Sequence, residues 1–507
     1  MVLSKLSDFL GNAFKSKSDL DLLEGPVGKN LFYLALPVVV TNLLRTAYNI
    51  ADTFWLGQYS GDALAAITFA FPLVFFLISL GMGLAVAGSV LIAQYEGKGS
   101  RSKVDFAASQ TVTFSAAVSI VLGAAGYFLI GDVLTLLGAE GAVAASASGY
   151  LQIISLGLFA MFGFAVFMSM MRGFGDTLTP MLLMLATVIL NIVIDPFFIF
   201  GWWIFPEMGV EGAAVATIFS RFLSLGVALW ILFSGRKGVK VELGKMKPDP
   251  DYFRKMVKIG VPASIEGVGR SVSVNLLVAV IGWMFIDQVV AGYGIGIRIF
   301  SMIFLPAVAV GRAVESMGGQ NLGAGNFERA GKTARAGAKY SLLILSGIGV
   351  LTFIFADPIA SVFTKDQAIA SIAAEFLTYI SLTFGGVGVL RAFSGLFRGA
   401  GKTIVAAFLA VASLGLIRLP VAYIAANMVG LRGIWAGFIA SNILGAVIAY
   451  LLYRRGGWRK TVTEEDQQRG EIAEEADEYG ETITEALNKR KEKLFSGFTG
   501  LLDFRDS

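Results

Sequence analysis

Long apolar runs dominate this chain, and each is long enough, at roughly twenty residues or more, to cross a hydrocarbon core about 30 Å thick as a helix. They fall near residues 31–56, 63–93, 106–130, 146–171, 179–204, 211–234, 256–285, 289–318, 337–356, 368–392, 404–427 and 430–453. A composition of 55% hydrophobic and 15% charged residues is too apolar for an ordinary soluble chain, so the expected fold is all-α and integral to a membrane, with about twelve spans. Cys and His are absent. That removes disulfides, thiol chemistry, zinc centres and imidazole bases, and leaves proton or ion chemistry to carboxylates. No nucleophile and base constellation is visible, so a transporter is expected rather than an enzyme. The net charge of +4 is small and its basic residues sit between apolar runs, which marks topology and not a nucleic-acid surface.

Lys and Arg alternate from one connection to the next. One set of connections holds Lys98, Arg101 and Lys103, then Arg172, the cluster from Arg236 to Lys258, Arg329 to Arg335, Arg398 with Lys402, and Arg454 to Lys460; the other set carries almost none. The positive-inside rule puts the first set, with both termini, in the cytoplasm of a cell-membrane protein. No cleavable signal peptide is expected before the first span.

The chain also repeats itself. Gln94-Tyr95-Glu96-Gly97-Lys98-Gly99 matches Gln320-Asn321-Leu322-Gly323-Ala324-Gly325 at an offset of 226, and Arg172-Gly173-Phe174-Gly175-Asp176-Thr177 matches Arg398-Gly399-Ala400-Gly401-Lys402-Thr403 at the same offset. Leu36-Pro37 pairs with Val261-Pro262 at an offset of 225, and Gly209 to Gly212 with Gly430 to Gly433 at 221. Such spacing predicts two parallel six-helix bundles related by a pseudo-two-fold axis along the membrane normal, enclosing a central cavity. The expected divisions are a segment 1–30, an N-lobe 31–235, a linker 236–255, a C-lobe 256–453 and a charged tail 454–507 with a membrane-surface patch near its end.

Charged groups inside spans are costly and ask for a partner, a cavity or a task. Arg45, Tyr48, Asn49 and Asp52 are spaced i, i+3, i+4 and i+7 and share one helix face. Asn191 and Asp195 lie one turn apart with Pro196 following, and Thr217, Ser220 and Arg221 form a third polar face. Burial and a second carboxylate both disfavour ionisation, so Asp52 and Asp195 suit proton exchange near neutral pH or capture of Na⁺. The alternatives are that Asp52 pairs with Arg45 or Arg221, and that Asp195 snorkels to the outer surface. In the second lobe Glu266 is a second-rank coupling acid, or else a simple i, i+4 ion pair with Arg270. Met168, Met170 and Met171, with the aromatic content, suit a pocket for flat apolar cations.

Tyr48-Asn49-Ile50-Ala51-Asp52-Thr53-Phe54-Trp55-Leu56-Gly57, Glu24-Gly25-Pro26-Val27, Leu34-Ala35-Leu36-Pro37, the Arg172 to Thr177 loop and Asn191-Ile192-x-x-Asp195-Pro196 resemble the multidrug and toxic compound extrusion (MATE) family, in its prokaryotic and archaeal form, over about residues 24 to 455. The resemblance implies two bundles in a V, and export of cationic or amphiphilic drugs or toxins in exchange for H⁺ or Na⁺, with no further cofactor. It places the cation among Asp52, Asn191, Asp195 and Thr217, and puts Arg45, Tyr48, Asn49 and Met171 in the substrate cavity. A monomer among membrane lipids is expected. Arg45 departs from the family pattern, because a fixed positive charge two turns from Asp52 bears on both coupling ion and cationic substrate. The rival expectation is a flippase for lipids or lipid-linked oligosaccharides of the same superfamily, kept open by Arg45, Arg221, Arg270 and Arg298.

Overall fold

The computed structural model describes residues 14–461 apart from 137, 139 and 140. The N-terminal amphipathic stretch and the charged tail beyond Thr461 lie outside the described residues. Within them the chain is helical: α1 Val27–Tyr59, α2 Gly61–Gly97, α3 Arg101–Leu136, α4 Gly141–Leu156, α5 Leu158–Phe174, α6 Leu178–Ile199 and α7 Gly209–Ser234 form the N-lobe. The C-lobe holds α8 Pro250–Met284, α9 Asp287–Gly323, α10 Phe327–Ile354, the short α11 Ala356–Ser361, α12 Gln367–Ser381, α13 Phe384–Gly399, α14 Thr403–Val429 and α15 Leu431–Arg454. Ten helices are each long and apolar enough to cross a membrane, and two bent pairs bring the number of spans to twelve.

The bent pairs are where continuous hydropathy misleads. The expected spans 146–171 and 368–392 are each broken, by 55° between α4 and α5 and by 56° between α12 and α13. The breaks centre on Gly157 and Thr383, which stand at the 226-residue repeat spacing, so the kink belongs to the repeated unit. Several helices also outrun their apolar cores: α2 and α9 each have 37 residues, about 55 Å at 1.5 Å per residue, well beyond the hydrocarbon thickness. Their extra turns are polar and tightly packed against the opposite lobe.

Those extra turns carry the repeated motifs and close one end of the molecule, the end at which the basic connections gather. Gln94 Nε2 donates to the Gly399 carbonyl at 2.8 Å, and Gln320 Nε2 donates to the Gly173 carbonyl at 2.9 Å. Each bond is the pseudo-symmetric image of the other, since both donors and both acceptors are related by the repeat. Ser316 Oγ adds a bond to the Arg172 carbonyl at 2.6 Å. The motif glycines follow from this geometry: a Cβ on Gly97 would collide with the Gln320 backbone, and one on Gly323 with the Gln94 backbone. Gly175 and Gly401 take left-handed φ values of 95° and 77° at the turns that follow, a region costly for residues with a Cβ.

The linker is an ordered strap. Gln110 Nε2 donates to the carbonyls of Lys245 and Lys247 at 2.7 and 2.6 Å, and Lys240 N donates to Asp105 at 2.9 Å, tying the connection to α3. The next helix starts at Pro250, ahead of the apolar run, with Asp249 accepting from Tyr252 N at 2.8 Å as its cap.

Because the chain has no Cys, closure is directly testable with a single introduced thiol. Ala93 is buried against Gly319 beneath the two glutamine bonds. With each net hydrogen bond contributing about 1 kcal/mol, Gln94→Ala combined with Gln320→Ala should raise maleimide labelling of Ala93→Cys about tenfold or more. Unchanged labelling would mean that this end is held shut by packing alone.

Candidate functional site

A cavity of about 820 Å³ opens between α1, α2, α5 and α7 of the N-lobe and the α8 and α9 face of the C-lobe. The polar stripe of α1 points into it, as its spacing requires: Arg45, Tyr48, Asn49 and Asp52 all line the wall. Apolar side chains, among them Phe71, Phe75, Ile78 and Phe162, supply most of the remaining lining. Met171 does not belong to it. The α5 side chains that line the cavity include Met168, Ser169 and Arg172, and Met171 is fully buried in the helix packing, because α5 starts a new helical phase after the Gly157 break.

Behind the α1 stripe lies a compact acid site. Asp52 is 3% exposed and Asp195 0%, and their carboxyl groups approach closely enough to share a hydrogen. Asn191 Nδ2 donates to Asp195 Oδ1 at 2.7 Å within α6, and Tyr48 Oη donates to Thr217 Oγ1 at 2.9 Å, which ties α1 to α7 beside the acids. Both alternatives for the acids are thereby removed. Asp52 makes no ion pair with Arg45 or Arg221 within 4.0 Å, and Asp195 is sealed from the outer surface. Asp52 Oδ1, Asp195 Oδ2, Asn191 Oδ1 and Ser220 Oγ are buried with no partner among the described residues. A buried acceptor left unmatched costs about 1–3 kcal/mol, so four of them together form a place for a proton or a hard cation to settle. Only two carboxylates are present, so a cation there would rely equally on neutral oxygens. Ser220 was visible in the sequence as part of the α7 polar face but was not singled out.

Glu266 has a different setting from the one expected of a coupling acid. It accepts from Arg391 Nη1 at 3.2 Å, from Arg398 Nη1 at 3.2 Å and from Arg270 Nη2 at 3.4 Å. Arg398 also donates through Nε to Glu315 at 2.9 Å, and Arg312 reaches Glu315 at 2.8 Å. A carboxylate held by three guanidinium groups is fixed as an anion, so Glu266 is corrected here from a coupling candidate to the hub of a structural network. The simple pair with Arg270 is its longest arm. Arg398 is the arginine of the repeated motif. Its repeat partner Arg172 has no carboxylate and faces the cavity.

The two-lobe fold, its repeated breaks and an acid pair buried beside a central cavity are the architecture of a carrier and not of an enzyme. A family model, MatE, matches residues 37–197 and 262–424. The chain belongs to the MatE family of transporters. The two matched segments begin at Pro37 and Pro262, the spacing of the internal repeat. Among MatE relatives, a probable multidrug resistance protein of Thermotoga maritima is 32% identical over 78% of this chain and 85% of its own length. A protein of Shewanella oneidensis named as an FAD transporter is 26% identical over 86% of this chain and 96% of its own. A multidrug resistance MATE transporter solved in an outward-facing conformation superposes with a TM-score of 0.81 at 25% identity, covering 87% of this chain and 98% of that one.

Removing Glu266 alone takes a counter-charge from the buried Arg391 and Arg398 and from the half-buried Arg270, and leaves Glu315 to Arg398. Glu266→Gln is expected to destabilise the C-lobe by about 3–5 kcal/mol, read as a clear drop in thermal denaturation midpoint. A midpoint equal to wild type would show that the network contributes no net stability.

Proposed function

We infer that this MatE protein is a secondary active exporter that carries amphiphilic small molecules out of the cell by alternating access, in exchange for H⁺ or Na⁺. The observation that carries this reading is the buried Asp52 and Asp195 pair, with its unmatched oxygens, beside a cavity wall that Asp52 itself lines together with Tyr48 and Thr217. A proton or Na⁺ settling there satisfies Asp52, Asp195, Asn191 and Thr217 in one arrangement of α1, α6 and α7 better than in another. Only such a difference in affinity between two states couples ion to cargo. Basic connections on one side support a cell-membrane orientation with both described chain ends in the cytoplasm. In that orientation the glutamine bonds close the cytoplasmic end and the cavity faces outward. The relatives' names, multidrug resistance and FAD transport, support a small-molecule cargo. Cofactor and partner subunit play no part in this scheme.

The cavity is at odds with one part of the earlier expectation. Five arginines line it, Arg45, Arg172, Arg221, Arg298 and Arg312, against a single carboxylate, Asp52. A purely cationic cargo gains little from such a wall.

Imposed gradients in proteoliposomes test the coupling. Dye movement is expected to follow either the pH gradient or the Na⁺ gradient, and to fall at least tenfold in Asp52→Asn and in Asp195→Asn. Neutralising either acid removes a buried like-charge contact, so both variants are expected to denature at or above the wild-type temperature. In wild type the responsible ion should raise that temperature, an effect absent from both variants. Gradient-driven movement that survives both substitutions would sink the site assignment.

A further inference from the structure

The arginines of the cavity are not spread evenly, and most lack counter-ions. Arg45, Arg172 and Arg312 converge toward the closed end, close enough for each to feel the charge of the others, and Arg221 stands near Arg45 from α7. Of these, Arg312 alone has a carboxylate partner, Glu315 at 2.8 Å. Among the described residues Arg45, Arg172, Arg221 and Arg298 have none within 4.0 Å. Arg221 is held by the faces of Tyr48 and Phe164, at 5.0 and 5.1 Å from its guanidinium carbon, which fixes its position without neutralising it. Placing an arginine in the middle of a membrane costs about 3 kcal/mol even on insertion scales, and like charges in a medium of low dielectric add to that cost.

The C-lobe shows how this chain treats arginines that only support structure. Arg270, Arg391 and Arg398 are bonded to Glu266, and Arg418 is bonded to Ser441 and Asn442 at 2.9 and 3.1 Å over the ring of Phe438. Among the described residues Arg45, Arg172 and Arg298 make no such bonds, and they line open space beside an apolar wall. Guanidinium forks match the oxygens of carboxylate, sulfonate and phosphate groups. We propose that the cavity binds anionic amphiphiles, the acidic group seated between Arg45 and Arg172 and the apolar body against the phenylalanines of α2. This deepens the export reading by naming its cargo class, and it rests on that reading only for the direction of movement.

The test is binding, which needs no gradient. Carboxyfluorescein and rhodamine 6G share a xanthene ring and carry opposite charge, so fluorescence anisotropy with the full chain in nanodiscs compares charge at nearly constant shape. Carboxyfluorescein is expected to bind at least about tenfold tighter than rhodamine 6G, and to weaken as salt rises. Arg172→Gln combined with Arg45→Gln should bring the two dyes within about threefold, and Arg172→Lys with Arg45→Lys, which retain the charge, should keep most of the preference. Should the double variant fail gel filtration, Arg45→Gln alone serves, because that side chain faces the cavity and makes no hydrogen bond or ion pair with another described residue. Tighter binding of rhodamine 6G, equal binding by wild type and the Gln variants, or no saturable binding of either dye would overturn the proposal. An Asp195→Asn protein, altered behind the cavity wall, that keeps the dye preference and loses gradient-driven transport separates this outcome from failure of the export reading.

Discussion

An ionised side chain inside a hydrocarbon slab must be answered by an opposite charge, by polar contacts or by water, and the two lobes of this molecule meet that condition in different ways. In the C-lobe the answer is internal. Glu266 and Glu315 gather Arg270, Arg312, Arg391 and Arg398 into one network, and neutral oxygens with an aromatic face hold Arg418. Around Tyr293, Phe376, Trp435 and Phe438 the rest of that lobe is an aromatic core. In the N-lobe the answer is left incomplete, with acids facing acids and arginines facing a cavity. A fixed lobe against an adaptable one is what an alternating carrier needs, since only incompletely satisfied groups change their preferred packing when an ion or cargo arrives.

The repeat explains why the adaptable lobe does not collapse. Each lobe offers a glutamine and a glycine carbonyl at the same place, and the pseudo-two-fold axis makes them reach across to each other. Two equivalent bonds around an axis fix both the separation and the relative rotation of the lobes at that end, and leave the opposite end free to splay around the cavity. The glycines that let the backbones touch are thus part of the closure. Reopening requires only that a few hydrogen bonds be exchanged for water, a modest cost that ion binding can supply.

Much of this was legible in the sequence because membrane burial simplifies the code. Long apolar runs announced the spans, alternating basic connections announced their sides, and i, i+3, i+4, i+7 spacing put Arg45, Tyr48, Asn49 and Asp52 on one wall. Repeat spacing announced two lobes. What escaped detection depended on packing across distance. A break at Gly157 reads as one more small residue in an apolar run, yet it shifts the phase of α5 and turns Met171 away from the cavity. Glu266 showed its i, i+4 neighbour Arg270 but not Arg391 and Arg398, which arrive from α13. Arg172 and Arg398 look identical in their motifs and separate only because Glu266 and Glu315 belong to one lobe. Leu277 stands at the repeat position of Asp52, so the sequence itself carries no second copy of that acid in the other lobe.

An arginine-lined cavity next to an acid pair also changes how coupling works. With a cationic cargo, ion and cargo can compete for the same negative charge, and exchange follows from direct displacement. With an anionic cargo the electrostatics run the other way: a proton or Na⁺ on the acid pair leaves the cavity more positive and by itself favours the anion. Exchange must then come from conformation, the loaded acid site preferring the arrangement of α1, α6 and α7 that opens outward, with Asp52 standing in both the acid pair and the cavity wall. The membrane potential reinforces this arrangement. A cation entering and an anion leaving both carry positive charge inward, each gaining about 2.3 kcal/mol per 100 mV, so the two movements are driven in the same sense and need little more than a gate that keeps them in sequence.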